Sequence, residues 1–502
     1  MKKKLLFQLL PILAALGCYV NSLSVPFIWD DEAMIKNNEL IRSWQNIPQI
    51  FLSSSFGGLW RGSEFYRPIQ FLTYLIDYQL WGNTPLGFHF TNILLFLISV
   101  FLLQKILTKM LVEAPDWVPI LAATIYAVHP MNIEVVTYLS GRGDLLGVLF
   151  SFASIYLYLC SRSASAFIFF ALALFSKENM IVLPFFMLGH QLLLLSKEKR
   201  SFIPIIPFFV LMLAYGLFRL YHVYYGSPYV LISPIAFSSL TDRLLTVPEI
   251  IVTYLRLFFL PYDLHMEYLF VTRSWLSWSF IGCSLLLLLF AGILLKYKKA
   301  FNLLWFLVAL APVLHIVAPL GATLREHWLV LPALGLLLLP VYQKKLMPVL
   351  IVFICFLSYQ TITRNFDWQV PLEFYRHDVQ HEPLSFLLHN NVGVEEMRRG
   401  NLAEAKKYFQ LAIEVSPGRR YGMAYSNLGV VLQLEGNFSE AEKYYRQALY
   451  LNPDADSYKK LINVLIKTNQ LAEIRKTVQE SLIRYPFDSV FLKLQEDLKK
   501  IP

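Results

Sequence analysis

The feature that most constrains this chain is a series of apolar blocks, many of them close to the ~20 residues that a helix needs to cross a bilayer. Hydrophobic residues make up 56% of the sequence and charged residues only 16%, whereas a soluble globular protein carries about 25% charged residues. This composition excludes a single large soluble enzyme, a disordered chain and a collagen-like fibre. The sequence therefore predicts a polytopic membrane protein.

The apolar blocks predict an all-α membrane domain of about eleven transmembrane helices over residues 1–361. The predicted spans are 5–23, 86–105, 117–135, 143–160, 164–176, 179–195, 202–221, 278–295, 300–318, 329–342 and 346–361. Basic residues concentrate in the cytoplasmic loops of membrane proteins. With the N-terminus inside, every basic cluster of the predicted membrane domain falls on the cytoplasmic side. Residues 246–262 are also apolar, but they carry Pro248, Glu249 and Arg256, so we predict an interfacial or re-entrant helix there.

The end of the chain repeats itself with a period of 36 residues. The repeated positions are small, aromatic and proline residues in two copies: Gly393, Gly400, Ala405, Phe409, Ala412 and Pro417, then Gly429, Gly436, Ala441, Tyr445, Ala448 and Pro453. This spacing is typical of tetratricopeptide repeats (TPR), in which two antiparallel helices touch at the small residues and the aromatic fills the gap to the next repeat. A third, degenerate copy follows. We therefore predict a TPR domain over 386–502, joined by a linker at 362–385, with a concave surface for a protein partner.

Charged residues gather at the outer ends of the predicted spans. The first outer loop, 24–85, contains Asp30, Asp31 and Glu32 close after a span. Three acids at that place are costly unless they act as a general base or hold a cation. The other candidates at the same face are Arg67, His89, Arg142, Asp144, Lys177, Glu178, Arg325 and Glu326. Acids can deprotonate an acceptor and basic residues can hold a lipid phosphate, so the pattern predicts a site for a lipid-linked substrate.

Several classes of protein are excluded by missing motifs. The chain contains no GxxxxGK[ST], GxSxG or HExxH motif and no paired CxxC, which removes P-loop ATPases and the common hydrolase and zinc motifs. The energy for any bond formation must therefore arrive with an activated substrate. The net charge of the chain is +9. Many of its basic residues lie in short loops between apolar blocks, where they indicate membrane topology. We therefore expect contacts with membrane lipid and no nucleic-acid partner.

Six short motifs follow one another along the membrane part of the chain. They are FIWDD at 27–31, YRP at 66–68, LWG…PLGFHFTN at 80–92, HPMNIEVV at 129–136, GRGDLL at 141–146 and SKEN at 176–179. As a set they resemble the transmembrane-and-TPR-containing O-mannosyltransferases and their bacterial relatives in the GT-C glycosyltransferase superfamily. The stretch TLREHWLVLPALG at 323–335 is similar to a luminal motif of that family, with the acid and the arginine exchanged. The resemblance covers the membrane domain and extends to the TPR tail.

The resemblance implies a GT-C-like fold, a polyprenyl-phosphate-linked sugar donor and an active site on the outer face. An acid of the first outer loop is the expected catalytic residue, which on matching positions is Asp30 or Asp31. Cationic residues beside the leaving phosphate lower the barrier, and Arg67, Lys177 and Arg325 are the candidates. No cofactor is implied, although a divalent cation on the acids at 30–32 stays an open alternative.

These features together predict a membrane glycosyltransferase that moves one sugar from a polyprenyl-phosphate-linked donor to a hydroxyl acceptor, which is a protein Ser/Thr or a glycan. Two alternatives stay open: a polymerase or ligase of polyprenyl-linked glycans, and a non-catalytic membrane scaffold that displays its TPRs outside. The short cytoplasmic loops and the small TPR array favour a bacterial inner membrane over the endoplasmic reticulum membrane. In that orientation the N-terminus is cytoplasmic and the TPR tail is periplasmic.

Overall fold

The computed structural model describes residues 7–52, 66–225, 233–339 and 344–501. Within these residues the secondary structure is helical, and the β pairing amounts to one isolated antiparallel bridge between Tyr268 and Leu324. The predicted all-α fold class is therefore confirmed. The chain divides into two compact units, Met1–Val370 and Pro371–Pro502.

The first unit is built from α-helices joined by short 3-10 and π turns. Its described α-helices are α1 (Leu10–Tyr19), α2 (Ile47–Leu52), α3 (Pro68–Trp81), α4 (Pro85–Met110), α5 (Trp117–Val128), α6 (Ile133–Val136), α7 (Arg142–Leu159), α8 (Ser163–Leu174), α9 (Leu183–Gly189), α10 (Ile206–Tyr225), α11 (Leu240–Phe259), α12 (Trp278–Lys296), α13 (Ala300–Leu310), α14 (Ala333–Leu337) and α15 (Met347–Asp367). Proline is the first residue of α3 and of α4. A backbone N–H at this position would have no acceptor within the helix, so proline loses no hydrogen bond there.

Five helical segments of the described chain are long and apolar enough to cross a membrane. They are Pro85–Met110, Leu139–Leu159, Ile203–Leu220, Trp278–Lys296 and Met347–Asp367. A sixth arises if α5 and the segment Pro130–Val136, which meet at a bend of 54°, form one span. Helix length and composition therefore support about five spans rather than the eleven predicted.

Two of the other predicted spans are interrupted by breaks in the helix, and the predicted span 329–342 ends outside the described residues. The predicted span 179–195 consists of a 3-10 turn, the 7-residue helix α9 and a π turn. The predicted span 300–318 keeps regular α-helix only to Leu310, because Pro312 follows in a 3-10 turn. Hydropathy is averaged over a window of about 19 residues, so it does not detect such breaks.

The segment expected at the membrane interface forms α11, which starts earlier than predicted and carries polar contacts of its own. Glu249 accepts a hydrogen bond from the Thr272 hydroxyl at 2.6 Å, and Arg256 pairs with Asp263 at 2.6 Å. These contacts satisfy charges that would be costly on a helix crossing lipid. The interfacial position of α11 stays a prediction.

The first outer loop packs as an apolar layer between α3, α4 and the turn before α7. One buried cluster joins them: Met34, Ile35, Leu40, Ile41, Ile50, Phe71, Tyr74, Leu75, Phe88 and Leu139. The cluster begins three residues after Asp31, so burial of this loop fixes the place where the two acids stand. Residues 53–65 of the same predicted loop lie outside the described residues.

The second unit is a row of helices in its described residues. They are α16 (Pro371–His381), α17 (Phe386–Arg398), α18 (Leu402–Val415), α19 (Gly422–Leu434), α20 (Phe438–Leu451), α21 (Ala455–Lys467), α22 (Leu471–Arg484) and α23 (Ser489–Lys499). Helices α17 to α22 form three successive pairs, including the degenerate third copy. The stretch 362–385, predicted as a linker, contains the end of α15 and the whole of α16.

Within the first two repeats, a glycine leaves room for an aromatic ring. A Cβ on Gly393 would lie 2.6 Å from the Phe409 ring, and a Cβ on Gly429 would lie 2.8 Å from the Tyr445 ring. Each ring is fully buried and packs against the first helix of its own repeat. Each ring therefore fills the space beside the glycine of its own repeat. That the ring also fills the gap to the next repeat stays a prediction.

Gly429→Leu should destabilise the second unit, because the new side chain would overlap the buried ring of Tyr445. Overpacking of this kind costs about 1–3 kcal/mol. The measurement is the melting temperature of the full-length protein in detergent. Gly292→Leu is the matched control, since a Cβ on Gly292 in α12 meets nothing within 4 Å. An equal melting temperature for the Gly429 variant and the wild type would contradict this packing.

Candidate active site

Asp30 and Asp31 are consecutive but have different surroundings. The Asp31 side chain is fully buried, and its carboxylate accepts hydrogen bonds from the Ser140 amide at 2.7 Å, the Ser140 hydroxyl at 2.5 Å and the Ile28 amide at 3.3 Å. Asp30 is exposed, and its backbone amide donates to the Tyr138 hydroxyl at 3.3 Å. Asp31 therefore anchors the loop, and Asp30 is the acid that reaches accessible space.

The backbone just before Asp30 has an unusual conformation. Trp29 has a φ of 57°, a left-handed value that costs a non-glycine residue ~1–3 kcal/mol. Ile28 is buried on one side and Asp31 is hydrogen-bonded on the other, so the fold imposes this conformation. Backbone strain of this kind concentrates at functional sites, which supports Asp30 as a functional residue.

The two acids also differ in how readily they ionise. Burial raises the pKa of Asp31 to about 7, although the hydrogen bonds from Ser140 act to lower it. The protein around the Asp30 carboxylate displaces water and raises its pKa, while the charges of Arg325 and Arg67 act in the opposite direction. Two cations of the predicted site therefore lie close enough to influence Asp30.

Arg67 and Glu178 form a two-point ion pair. Arg67 Nε lies 3.2 Å from Glu178 Oε2, and Arg67 Nη2 lies 2.8 Å from Oε1. Burial acts to raise the pKa of Glu178, but the charges of Arg67 and Lys177 outweigh it and hold the pKa below its ordinary value. Glu178 is therefore ionised, and the paired geometry fixes the direction of the Arg67 guanidinium.

Lys177 and Arg325 are each paired with a carboxylate as well. Lys177 Nζ lies 2.6 Å from Asp144 Oδ2, and both side chains are buried. Arg325 Nη2 lies 3.0 Å from Glu267 Oε1. Buried charges need such partners, and each pair also holds its cation in place.

A histidine joins this network. His327 Nδ1 pairs with Glu134, and His327 Nε2 lies 3.8 Å from Asp144 Oδ2. Since Asp144 also pairs with Lys177, these side chains connect α6, the start of α7 and the turn before α14 in one polar layer.

Glu326 is turned into the protein beside this layer. Its carboxylate accepts hydrogen bonds from the Tyr268 hydroxyl at 2.8 Å and from the His265 amide at 2.9 Å. Burial, together with the charge of Glu134, raises the pKa of Glu326 to about 8. Burial and the Glu134 charge therefore favour the protonated form of Glu326, and its neighbour Arg325 supplies the cation of that turn.

Two predicted substrate contacts lie in the interior instead. Arg142 is fully buried, with Nη1 2.6 Å from Asp77 Oδ2 and Nε donating to Asn92 at 2.6 Å. His89 is fully buried, and its Nε2 lies 2.9 Å from the Val25 carbonyl. Both residues stand near the ends of predicted spans, but their side chains point between helices. They hold the helices and the start of the outer loop together, and their role as substrate contacts stays a prediction.

The acids at 30–32 do not form a common ligand set. Glu32 pairs with Lys36 at 3.4 Å, and the Asp31 oxygens are occupied by amide and hydroxyl donors. Throughout the described ranges there is no group of three or more His, Cys, Asp or Glu side chains arranged to hold a metal ion.

Several residues that contact the sequence candidates were not candidates themselves. They include Glu134, Tyr138, Ser140, Glu267 and His327. Ser140 directly precedes the motif GRGDLL, and His327 lies within the stretch TLREHW. This proximity to motifs is the sequence feature that could have identified them. Glu267 follows α11 in a segment without a motif, and nothing in the sequence marks it.

Comparison with known proteins supports the predicted resemblance. A family model described as tetratricopeptide repeat matches residues 384–451. The chain is 25% identical over 425 residues to "Protein O-mannosyl-transferase F38B6.6" of Caenorhabditis elegans, covering 80% of this chain and 61% of that relative. It is 24% identical over 464 residues to human "Protein O-mannosyl-transferase TMTC3", covering 80% and 50%. It is 31% identical over 151 residues to human "Protein O-mannosyl-transferase TMTC4", covering 27% and 20%.

The relatives are thus TMTC-type protein O-mannosyl-transferases, which confirms the family predicted from the motifs. This chain spans 61% and 50% of the length of the first two. A solved structure titled "Crystal structure of APC/C hetero-tetramer Cut9-Hcn1" aligns with 86% of the chain at 12% identity, with a TM-score of 0.25. That score is too low to define a shared fold.

Proposed function

We propose that this protein is a GT-C-like membrane glycosyltransferase that moves a sugar, mannose by analogy with its relatives, from a polyprenyl-phosphate-linked donor to a hydroxyl acceptor. The observation that carries the proposal is the position of Asp30, an exposed carboxylate held by a strained backbone and influenced by two paired arginines. The names of the relatives support the reaction class. The acceptor is a protein Ser/Thr or a glycan.

In the proposed reaction Asp30 takes the proton of the acceptor hydroxyl. The acceptor oxygen forms a bond to the anomeric carbon of the sugar, and the bond from that carbon to the donor phosphate oxygen breaks. Polyprenyl phosphate leaves with the electron pair, and its negative charge is stabilised by Arg67, Lys177 and Arg325. General-base help of this kind is worth ~10²–10⁴-fold in rate.

Asp31 has a positioning role in this proposal. Its oxygens are engaged by Ser140 and Ile28, so they are not available to an acceptor hydroxyl. A non-catalytic scaffold would need neither the exposed Asp30 nor the paired cations around it, and this favours an enzyme over the scaffold alternative. The second unit supplies a TPR surface for the acceptor protein or a partner protein.

Asp30→Asn should lower sugar transfer by at least ~10²-fold, because it removes the general base and nearly preserves size. Asp31→Asn is the matched comparison, and it should lower the melting temperature of the protein more than Asp30→Asn does. The measurement is transfer from a polyprenyl-phosphate mannose donor to a Ser/Thr-rich peptide by full-length protein in nanodiscs, with donor binding measured in parallel. Near-normal transfer by Asp30→Asn would remove the general-base role of Asp30. Absence of transfer by the wild type under the same conditions would favour the scaffold alternative.

Transfer should also fall in acid, because the base must be ionised to accept a proton. The pKa of Asp30 is raised above 3.8, so kcat/KM should decline as the pH falls through a value above 3.8. Arg325 acts to lower that pKa. Arg325→Gln should therefore move the acidic limb of the pH profile to higher pH, in addition to any loss of rate. An acidic limb that stays in place in this variant would argue against Asp30 as the titrating group.

The proposed location is a bacterial inner membrane with the TPR unit in the periplasm, and the endoplasmic reticulum membrane is the alternative. Single cysteines at Lys199 and Lys296 should be shielded from an impermeant thiol reagent added outside, whereas a cysteine at Ser439, which is exposed, should react. The background for this test replaces the native thiols by alanine: Cys18, Cys160, Cys283 and Cys355. Labelling at Lys296 from outside would contradict the predicted orientation of α12.

A further inference from the structure

Helix α10 carries a cation that no sequence motif marks. The apolar segment Ile203–Leu220 is long enough to cross the membrane, and Arg219 is its one charged residue. Charged residues are costly within membrane helices and mark functional positions there. Arg219 stands near the end of this span, which is the outer end in the predicted topology.

Aromatic rings connect this end of α10 to the segments that carry the two-point ion pair. The ring of Tyr66, the residue before Arg67, lies 5.4 Å from Phe218 and 6.2 Å from Phe175. The ring of Tyr215 lies 6.1 Å from Phe175. The aromatic contacts therefore place one face of α10 beside the ion pair at the candidate active site.

Two polar atoms on that face are buried without a hydrogen-bond partner among the described residues. They are Nη1 of Arg219 and the hydroxyl of Tyr215. The two residues are four apart in a helix, so they lie on one face. Arg219 is close enough for its charge to act on the Glu178 carboxylate. Because buried polar groups are nearly always satisfied, two unsatisfied donors on one face point to a ligand that brings acceptor oxygens.

The charges of the neighbouring side chains indicate the kind of ligand. Arg67, Lys177 and Arg325 each pair with a carboxylate within 3.0 Å, whereas Arg219 has no ion pair among the described residues. An anion would balance the Arg219 charge. Exposed apolar side chains on the same helix, Leu213 and Leu217, offer a surface for a hydrocarbon chain. The two features together fit a phosphate joined to a lipid.

We propose that Tyr215 and Arg219 bind the phosphate of the polyprenyl-linked donor, beside Arg67. The proposal rests on the proposed function and deepens it by naming donor-binding residues outside the motifs. The guanidinium and the phenol donate hydrogen bonds to phosphate oxygens, and the isoprenoid chain lies along α10. In this arrangement the leaving group stays bound to a membrane helix while the sugar and the acceptor meet at Asp30.

The test measures binding of radiolabelled polyprenyl phosphate to full-length protein in nanodiscs. Arg219→Gln should raise the Kd ~10–100-fold, as expected for a charge-assisted hydrogen bond, and Tyr215→Phe should raise it ~2–10-fold. Arg219→Lys should recover part of the loss because it keeps the charge. Tyr215→Phe is the sharper variant, because the Tyr215 hydroxyl has no hydrogen-bond partner among the described residues. Its loss should therefore leave the melting temperature unchanged. Arg162→Gln, at an exposed arginine after α7, is the matched control.

Competition experiments separate the sources of the phosphate group. Polyprenyl phosphate should be displaced by unlabelled polyprenyl phosphate and far less by phosphatidylglycerol or inorganic phosphate. Equal displacement by phosphatidylglycerol would show a general lipid headgroup site and overturn the proposal. Unchanged Kd values in both Tyr215→Phe and Arg219→Gln would also overturn it.

The outcome is distinguishable from a failure of the proposed function. If the wild type transfers sugar and both variants bind the lipid normally, the donor-binding proposal is wrong and the transferase function stands. If both variants lose binding while the wild type transfers sugar to no hydroxyl acceptor, the phosphate site stands and the transferase function is wrong.

Discussion

Two hydrogen bonds from Ser140 to the buried Asp31 carboxylate join parts of the chain that are 109 residues apart. They tie the first outer loop to the turn before α7. Loss of these donors would leave a carboxyl group buried and unsatisfied, which is costly, so the loop cannot leave the turn without a penalty. The left-handed backbone at Trp29 lies within the segment that this tie holds. The place of Asp30, and with it the proposed chemistry, follows from the anchoring of its neighbour.

The three cations of the candidate site, Arg67, Lys177 and Arg325, are each paired with a carboxylate. This pairing matters for the proposed catalysis. A guanidinium or ammonium held by a carboxylate does not have to reorganise when charge develops on a leaving group, and preorganised charge is the most effective kind. Arg67 and Glu178 illustrate the arrangement, since the carboxylate uses both oxygens to orient the guanidinium.

The TPR repeats and the position of Asp30 could be predicted from the sequence because both depend on local order. A 36-residue period fixes which residues of neighbouring helices meet, and a motif after an apolar block fixes which loop carries the acids. The surroundings of Arg142 and His89 could not be predicted in this way. A position at the end of a span does not reveal which face of the helix a residue occupies. The pairing of His327 with Glu134 spans 193 residues, and one sequence contains no signal for such a contact. The span count failed for a related reason, because window hydropathy does not register a proline break.

The adjacent acids divide their roles because burial acts on them unequally. Asp31 has a pKa raised to about 7, so its folded form holds a proton more tightly than the unfolded chain does. Its contribution to stability is therefore complete below pH 3.8 and is lost as the pH rises through about 7. Near neutral pH Asp31 is only partly ionised, which limits its repulsion of a charge on Asp30. One acid can then remain ionised beside the acceptor while the other serves the fold, the same separation of roles that paired carboxylates show in other active sites.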